Sequence, residues 1–475
     1  MGHDASVTVV DDEQITFAAH AERYSRIKND PHLNHSLLND ALAGVPPDKI
    51  VWYERPTLKR LRMLLSGQPC CYPSLASYLT PFNLTDISVS TVGHHHAHAA
   101  AGYYTSPFDE AAILVIDAIG EFDTISLWRG QGTRLTKLWA QYYPHSLGLL
   151  YSAFTKRCGL KPNEEEYILM GMAAFGQPCL VEDMRATFLV DDVLPHLTLK
   201  CNVHRGIGEW GWWASRFDLA ASIQKLTEDY LVHLARWAHF RTGSRNLVLM
   251  GGVALNCVAN TKIAESDIFQ HIWIMPNPGD AGSSLGAIAA WTHRRLDWQT
   301  PYLGYDITTV FDYGSALQAL RRGEVIGIAT GRAEFGPRAL GNRSLVCDPR
   351  GIDVKDRVNA IKQREEFRPF APVIKEELAK QYFVMPVKNS PYMQFTAQLL
   401  RPDLYPAICH IDGTARVQTL RQDQNAVFYR LLDAFHQTTG CPMLLNTSLN
   451  VKGQPLVNSW NDAEQFGRKY EVAIF

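Results

Sequence analysis

Hydrophobic and polar positions divide the chain into short apolar runs separated by loops of small and polar residues. Residues 7–10 and 15–19 are apolar runs on either side of a charged turn, and they follow a small-residue turn at 2–6, a pattern that predicts a hairpin. Met1 stands directly before Gly2, where a strand is expected to have begun several residues earlier, so either this first strand is short or the chain is truncated. Apolar runs at 111–116, 247–250 and 272–275 each pass at once into glycine, asparagine, proline or aspartate, and residues 221–239 read as helix. Strands ending in polar loops, with helices between them, predict an α/β sheet whose ligand groups sit on the strand-end loops. From about residue 307 the pattern changes to a helical segment at 314–322, a strand at 325–329, and then arginines among prolines and glycines. That change sets a domain boundary near 310, with domains over 1–310 and 311–475. No internal repeat or low-complexity tract is present. Trp210, Trp212 and Trp213, within 206–217, form either a mobile flap at a site or a satellite aromatic core.

Composition narrows the class. At 475 residues the chain exceeds what one core organises, and 46% hydrophobic with 20% charged residues is ordinary globular composition. A formal charge of -2 lacks the overall basic field of a polyanion binder, so nucleic acid is neither indicated nor excluded. The nine cysteines have no CxxC spacing, which predicts reduced thiols in a cytoplasmic protein. No run approaches the roughly 20 apolar residues of a membrane span, and no basic-then-apolar signal opens the chain. No oligomeric state is indicated.

The candidate chemistry lies in three places. The first is His94-His95-His96-Ala97-His98, ahead of a small-residue helix at 99–103; His94 and His98 are four apart, so on a helix both rings share one face and can hold a cation. Asp117 and Asp280 sit where strand ends bring a carboxylate to that cation, although Asp117 also reads as a turn residue and Asp280 as a helix cap. Imidazole mixed with carboxylate suits iron, manganese or zinc better than calcium. The second place is Gly251-Gly252-Val253-Ala254-Leu255-Asn256, a tight turn between strand and helix that allows close approach of phosphate or adenosine, with Gly251, Gly252 and Asn256 as candidate contacts. With the loops at 2–6 and 279–282, it fits a two-lobed actin-like nucleotide fold, and no GxxxxGK[ST] loop is present. The third is 331–368, where Arg332, Arg338, Arg343, Arg350, Arg357, Arg364 and Arg368 with Lys362 form either an anion pocket or a structural salt-bridge network.

These residues assemble into a resemblance. Gly2-His3-Asp4-Ala5-Ser6, His94 to His98, Val115-Ile116-Asp117, His145-Ser146-Leu147-Gly148, Gly251 to Asn256 and Gly279-Asp280 resemble the O-carbamoyltransferases of nodulation factors and antibiotic tailoring. So do Glu334-Phe335-Gly336-Pro337-Arg338, Gly341-Asn342-Arg343-Ser344, Arg364-Glu365-Glu366-Phe367-Arg368-Pro369, His410 to Arg416 and Leu445-Asn446-Thr447-Ser448. Where that family often has lysine in EYKxMG, this chain has Ile168. The resemblance implies an actin-like, Kae1-like N-terminal domain followed by a YrdC-like α/β domain. It implies a second domain making carbamoyl-adenylate from carbamoyl phosphate and ATP with Mg2+, and a first domain passing the carbamoyl group to a hydroxyl beside a divalent metal, Fe2+ with Mn2+ or Zn2+ as alternatives. Carried over, His94, His98, Asp117 and Asp280 hold the metal, while Arg338, Lys362, Arg368, Arg416, Asn446 and Ser448 hold ATP and carbamoyl phosphate. His3 or His96 is the expected base that deprotonates the hydroxyl. The acceptor is open among small molecules and a hydroxymethylated pyrimidine. Two other readings are a tRNA threonylcarbamoyladenosine-type modifying enzyme and a non-catalytic actin-like nucleotide-binding regulator.

Overall fold

The computed structural model describes residues 4–68, 74–190 and 195–475, which form two α/β units. The first comprises residues up to Ala18 with Pro31–Trp298, and the second Ala19–Asp30 with Gln299–Phe475.

In the first unit, β1 (Ser6–Asp11) and β2 (Gln14–His20) pair, as do β3 (Ile50–Trp52) and β4 (Val89–Thr91). The main sheet contains β5 (Glu110–Ile116), β6 (Asp123–Gln131), β7 (Arg134–Tyr142), β8 (Asn246–Met250) and β9 (His271–Trp273), ordered β7-β6-β5-β8-β9. β5, β8 and β9 run parallel, with Val115 opposite Met250. The residues of β5 and β8 are apolar in continuous runs because both faces are covered: Ala111 to Ile116 and Leu247 to Met250 are all buried. Three parallel strands therefore end on one side, and Asp117, Gly251 and the loop leading to Asp280 emerge there together.

The helix His94–Tyr104 packs against this sheet and against the helix Ser283–Thr292. Small residues permit it: a Cβ on Gly286 would lie 1.9 Å from the carbonyl oxygen of Ala97. Sequence placed the histidines ahead of this helix, whereas the structure puts them in its first turns. Gly93 supplies no side-chain cap; instead Glu121, brought from beyond β5, accepts the His94 N–H with both carboxylate oxygens at 3.1 Å. A carboxylate at a helix N-terminus satisfies orphan donors and meets the positive end of the dipole.

The second unit holds β10 (Tyr302–Ile307), β11 (Ile326–Ala329), β12 (Gly331–Glu334), β13 (Arg343–Cys347), β14 (Ala371–Lys375), β15 (Phe383–Val384) and β16 (Thr396–Leu399). It continues with β17 (Thr414–Arg416), β18 (Gln418–Leu420), β19 (Met443–Ser448) and β20 (Ala473–Ile474). A six-stranded sheet runs β18-β14-β19-β13-β11-β20, beside the groups β10-β12 and β15-β16-β17. Its core includes Val346, Val373, Leu444, Phe428 and Phe435, all at most 1% exposed. The division falls at Trp298/Gln299, earlier than residue 310, because β10 pairs with β12 (Tyr302 with Glu334, Ile307 with Gly331) and so belongs to the second unit. Residues 19–30 also belong there, far from it in sequence.

Candidate active site

Asp117 leaves β5, Asp280 opens the short turn Asp280–Gly282, and both meet the histidine helix. His94 Nε2 lies 3.0 Å from Asp117 Oδ2 and 3.3 Å from Asp280 Oδ1; His98 Nε2 lies 3.5 and 3.3 Å from the same atoms. The two Nε2 atoms are 3.1 Å apart, and one atom from each of the four residues falls within 4.8 Å of the others. Asp117 is oriented by its other oxygen, which accepts the N–H groups of Ala118 at 2.9 Å and Gly252 at 3.3 Å.

The electrostatics of the cluster suit a cation. Burial disfavours a charged imidazole, yet Asp280 and Asp117 hold the His94 pKa well above its ordinary value and raise that of His98. Burial likewise opposes ionised carboxylates, yet the two histidines keep Asp117 and Asp280 below the usual range. Two buried anions are balanced here only if positive charge arrives, as protons or as a metal. Two imidazole nitrogens and two carboxylate oxygens converging on one point fit a divalent transition ion.

The other expected contacts are distributed differently. His3 lies outside the described residues. His96 stacks on Trp128 with ring centroids 5.2 Å apart, away from the four converging groups, and burial, His293 and Arg55 lower its pKa to about 4. Gly251 is needed by the backbone: its φ is +90°, and a Cβ would lie 2.2 Å from the Ile116 carbonyl oxygen. Asn256 caps the helix Cys257–Glu265 through Ala259 N–H and exchanges hydrogen bonds with Gln224. Trp210 packs on Phe154 and Phe188, whereas Trp212 and Trp213 are 74% and 57% exposed. The sequence reading did not single out Glu121, which also accepts the Arg55 N–H at 2.7 Å.

In the second unit, Asn446 and Ser448 lie on the central strand β19. Asn446 Nδ2 donates to the Ala339 carbonyl at 3.2 Å and to Gln418 Oε1 at 2.7 Å, tying the loop of Arg338 to the strand following Arg416. Lys362 ends the helix Val354–Lys362, and its buried Nζ donates to the Ser448 and Asn450 carbonyls at 2.5 and 2.9 Å and meets their side chains at 3.1 and 2.9 Å. Burial, Arg364 and Arg368 push the amine pKa down, but four oxygen acceptors call for the protonated form. Arg368 is 3.2 Å from Glu365, and Arg338 and Arg416 are half-buried.

The arginine run is thus divided in role. Arg343 is fully buried and donates to the carbonyls of Thr330, Gly331, Asn342, Tyr305 and Asn458; Arg332 holds the Leu303 and Gly304 carbonyls. Arg350 pairs with Asp348 and Arg357 with Asp353. Arg332 and Arg343 thus serve the fold and Arg350 and Arg357 pair with neighbouring carboxylates, so for these four the structural alternative is the one observed.

Residues 74–289 match the family model for the carbamoyltransferase N-terminus, and residues 317–475 that for the carbamoyltransferase C-terminus. An uncharacterized protein of Synechocystis is 34% identical, covering 97% of this chain and 92% of its own length. Nodulation protein NolNO of Sinorhizobium fredii is 34% identical over 97% of this chain and 76% of its own. The chain belongs to the carbamoyltransferase family.

It is accordingly a transferase, and carbamoyl transfer is its chemistry. A further relative is the 3'-hydroxymethylcephem-O-carbamoyltransferase of Amycolatopsis lactamdurans, 28% identical over 97% of this chain and 94% of its own. Among solved structures, that of T. kodakarensis HypF is distantly similar, with 15% identity and a TM-score of 0.37 over 63% of this chain and 49% of that one. In this carbamoyltransferase the four converging groups fall inside the N-terminal match, and Arg338, Lys362, Arg368, Arg416, Asn446 and Ser448 inside the C-terminal match. Among the described residues no helix is long and apolar enough to cross a membrane.

Proposed function

We propose that this carbamoyltransferase is ATP-dependent, forms carbamoyl-adenylate in its second unit, and transfers the carbamoyl group to a hydroxyl of a small-molecule acceptor at the His94, His98, Asp117 and Asp280 cluster. The observation that carries the reading is that cluster, whose ligand atoms converge within 4.8 Å while its carboxylates stay ionised. The relatives named for carbamoyl transfer support the reaction class.

In the second unit, water takes the phosphate from carbamoyl phosphate, the freed carbamate oxygen attacks the α-phosphorus of Mg2+-bound ATP, and pyrophosphate leaves. Lys362, Arg338, Arg368 and Arg416 supply positive charge to these oxyanions, with Asn446 and Ser448 fixing orientation. In the first unit, the acceptor oxygen bonds to the carbamoyl carbon, the bond from that carbon to the AMP oxygen breaks, and AMP departs. His94, His98, Asp117 and Asp280 would hold a divalent ion, Fe2+ with Mn2+ or Zn2+ as alternatives, and such an ion would supply Lewis acidity for the transfer. Gly251, Gly252 and Asn256 line the adenosine side. The acceptor proton goes to His3 or His96, the two candidate bases; burial, His293 and Arg55 lower the His96 pKa to about 4.

The test is incubation with labelled carbamoyl phosphate, ATP and a panel of hydroxyl compounds, including amino sugars, hydroxymethyl heterocycles and a hydroxymethylated pyrimidine. A mass gain of one carbamoyl group that requires ATP supports the reading. Transfer that proceeds equally without ATP contradicts it.

A further inference from the structure

Residues 19–30 leave the first unit's hairpin and pack into the second unit. Within this segment the short helix Ala21–Ser25 carries Arg23, and Arg26 follows it. Arg23 Nη2 donates to the Gly336 carbonyl at 2.9 Å, two residues before Arg338. Arg26 donates to the carbonyls of Leu456 and, at 3.1 Å, Pro455. That second loop reaches back to the lysine: Asn450 Nδ2 holds the Gln454 carbonyl at 2.6 Å, while Asn450 itself accepts from Lys362 Nζ at 2.9 Å. The segment is braced internally, since Glu22 takes Lys28 Nζ at 2.8 Å and the Asn29 N–H at 3.0 Å. Arg23 thus holds the loop that carries Arg338, and Arg26, three residues on, holds a loop tied through Asn450 to Lys362.

We infer that residues 19–30 form a clamp on the adenylate-forming site, in which Arg23 and Arg26 are positioning residues that set the Arg338 loop and the 450–456 loop at the spacing the substrates need. The inference rests on the function proposed above and adds residues that lie outside both family matches.

Arg23 is 2% exposed; its Nε and Nη1 have no hydrogen-bond acceptor and Nη2 has the Gly336 carbonyl, while the nearby charges of Glu22 and Glu334 favour its cation. Glu22 is committed to Lys28 and Asn29, and Glu334 Oε1 to the N–H groups of Leu340, Asn342 and Arg343. Arg23→Met removes positive charge beside the buried Glu22 and Glu334 and so costs stability whether the segment is a clamp or a packing element; the half-reactions, not the midpoint, separate the two roles.

The experiment compares the full chain with Arg23→Met, Arg26→Met and Arg26→Lys. It reads thermal midpoint, ATP-dependent carbamoyl-adenylate formation from labelled carbamoyl phosphate, and transfer from supplied adenylate. For Arg23→Met the midpoint is expected to fall, while the KM for ATP or carbamoyl phosphate rises by about 10- to 100-fold, the cost of displacing binding groups by about an ångström, and transfer from supplied adenylate is kept. Arg26→Met raises the same KM and Arg26→Lys restores part of it, with transfer from supplied adenylate unchanged in all three. Wild-type protein that makes adenylate alongside methionine variants of equal KM overturns the clamp alone. Variants that lose midpoint and both half-reactions in parallel overturn it as well. Wild-type protein that makes no adenylate overturns the functional reading and the clamp with it.

Discussion

Asp117 shows how one residue is made into a ligand: two backbone N–H groups hold one carboxylate oxygen, and the other turns toward His94 and His98. Removing His98 leaves buried carboxylates short of positive charge and one ligand fewer for an ion. His98→Ala is expected to lower affinity for Fe2+, Mn2+ or Zn2+ by more than about 100-fold, since even outer-shell partners of a metal account for 10- to 100-fold. Elemental analysis of protein purified with each metal measures this directly. Glu121 would act at one remove, since it accepts the backbone N–H of His94 and so fixes the start of the helix that carries both rings. Glu121→Gln should weaken metal binding by about 10- to 100-fold while the four ligands remain.

The same cluster gives a pH dependence whose sign differs with and without metal. His94 and His98 have folded pKa values above their unfolded value of about 6.5, so in metal-free protein their stabilisation is complete below that pH and is lost as pH rises through the raised values. The depressed carboxylates contribute above their unfolded value of about 4, and that contribution is lost as pH falls through the lowered values. A cation must displace the imidazole protons, so metal affinity should instead increase with pH from 6 to 8, with proton release. Calorimetric titration in buffers of different ionisation enthalpy counts those protons; binding that neither releases protons nor strengthens with pH would remove the histidines from the ligand set.

At the scale of elements, the site depends on the histidine helix lying hard against the helix Ser283–Thr292 that follows Asp280. Gly286 sets that approach, and Gly286→Ala, whose Cβ has 1.9 Å to the Ala97 carbonyl, must push the helices apart. A loss of about 1–3 kcal/mol in stability, together with weaker metal binding, is expected from denaturant titration and metal analysis of this variant. Much of this arrangement was legible. Four-residue spacing put His94 and His98 on one face, and continuous apolar runs ending in polar loops located β5 and β8, hence Asp117. The helix start was not legible, because its cap is Glu121, 27 residues away from His94, and a local pattern carries no trace of such a partner. Arg343 was misleading for the same reason: its acceptors are backbone carbonyls spread from Tyr305 to Asn458.

For the molecule as a whole, the mixed α/β class followed from alternating strands and helices, but the limits of the units did not. No sequence pattern ties residues 19–30 to the second unit, where the carbonyls of Gly336, Pro455 and Leu456 and the ring of Phe335 meet them. The proposed function puts histidine and aspartate chemistry in one unit and lysine and arginine chemistry in the other, and so predicts two separable half-reactions. The most direct measurement follows both in the same proteins: ATP-dependent formation of carbamoyl-adenylate from labelled carbamoyl phosphate, and carbamoylation of an acceptor from supplied adenylate, in wild type, His98→Ala and Arg368→Ala. Arg368 suits this better than Lys362, whose buried amine meets four acceptors and whose loss disturbs the 448–450 turn. His98→Ala is expected to form adenylate and release pyrophosphate but carbamoylate nothing, and Arg368→Ala to fail in adenylate formation by about 100-fold or more yet transfer from supplied adenylate. Equal loss of both half-reactions in both variants would contradict the division of labour.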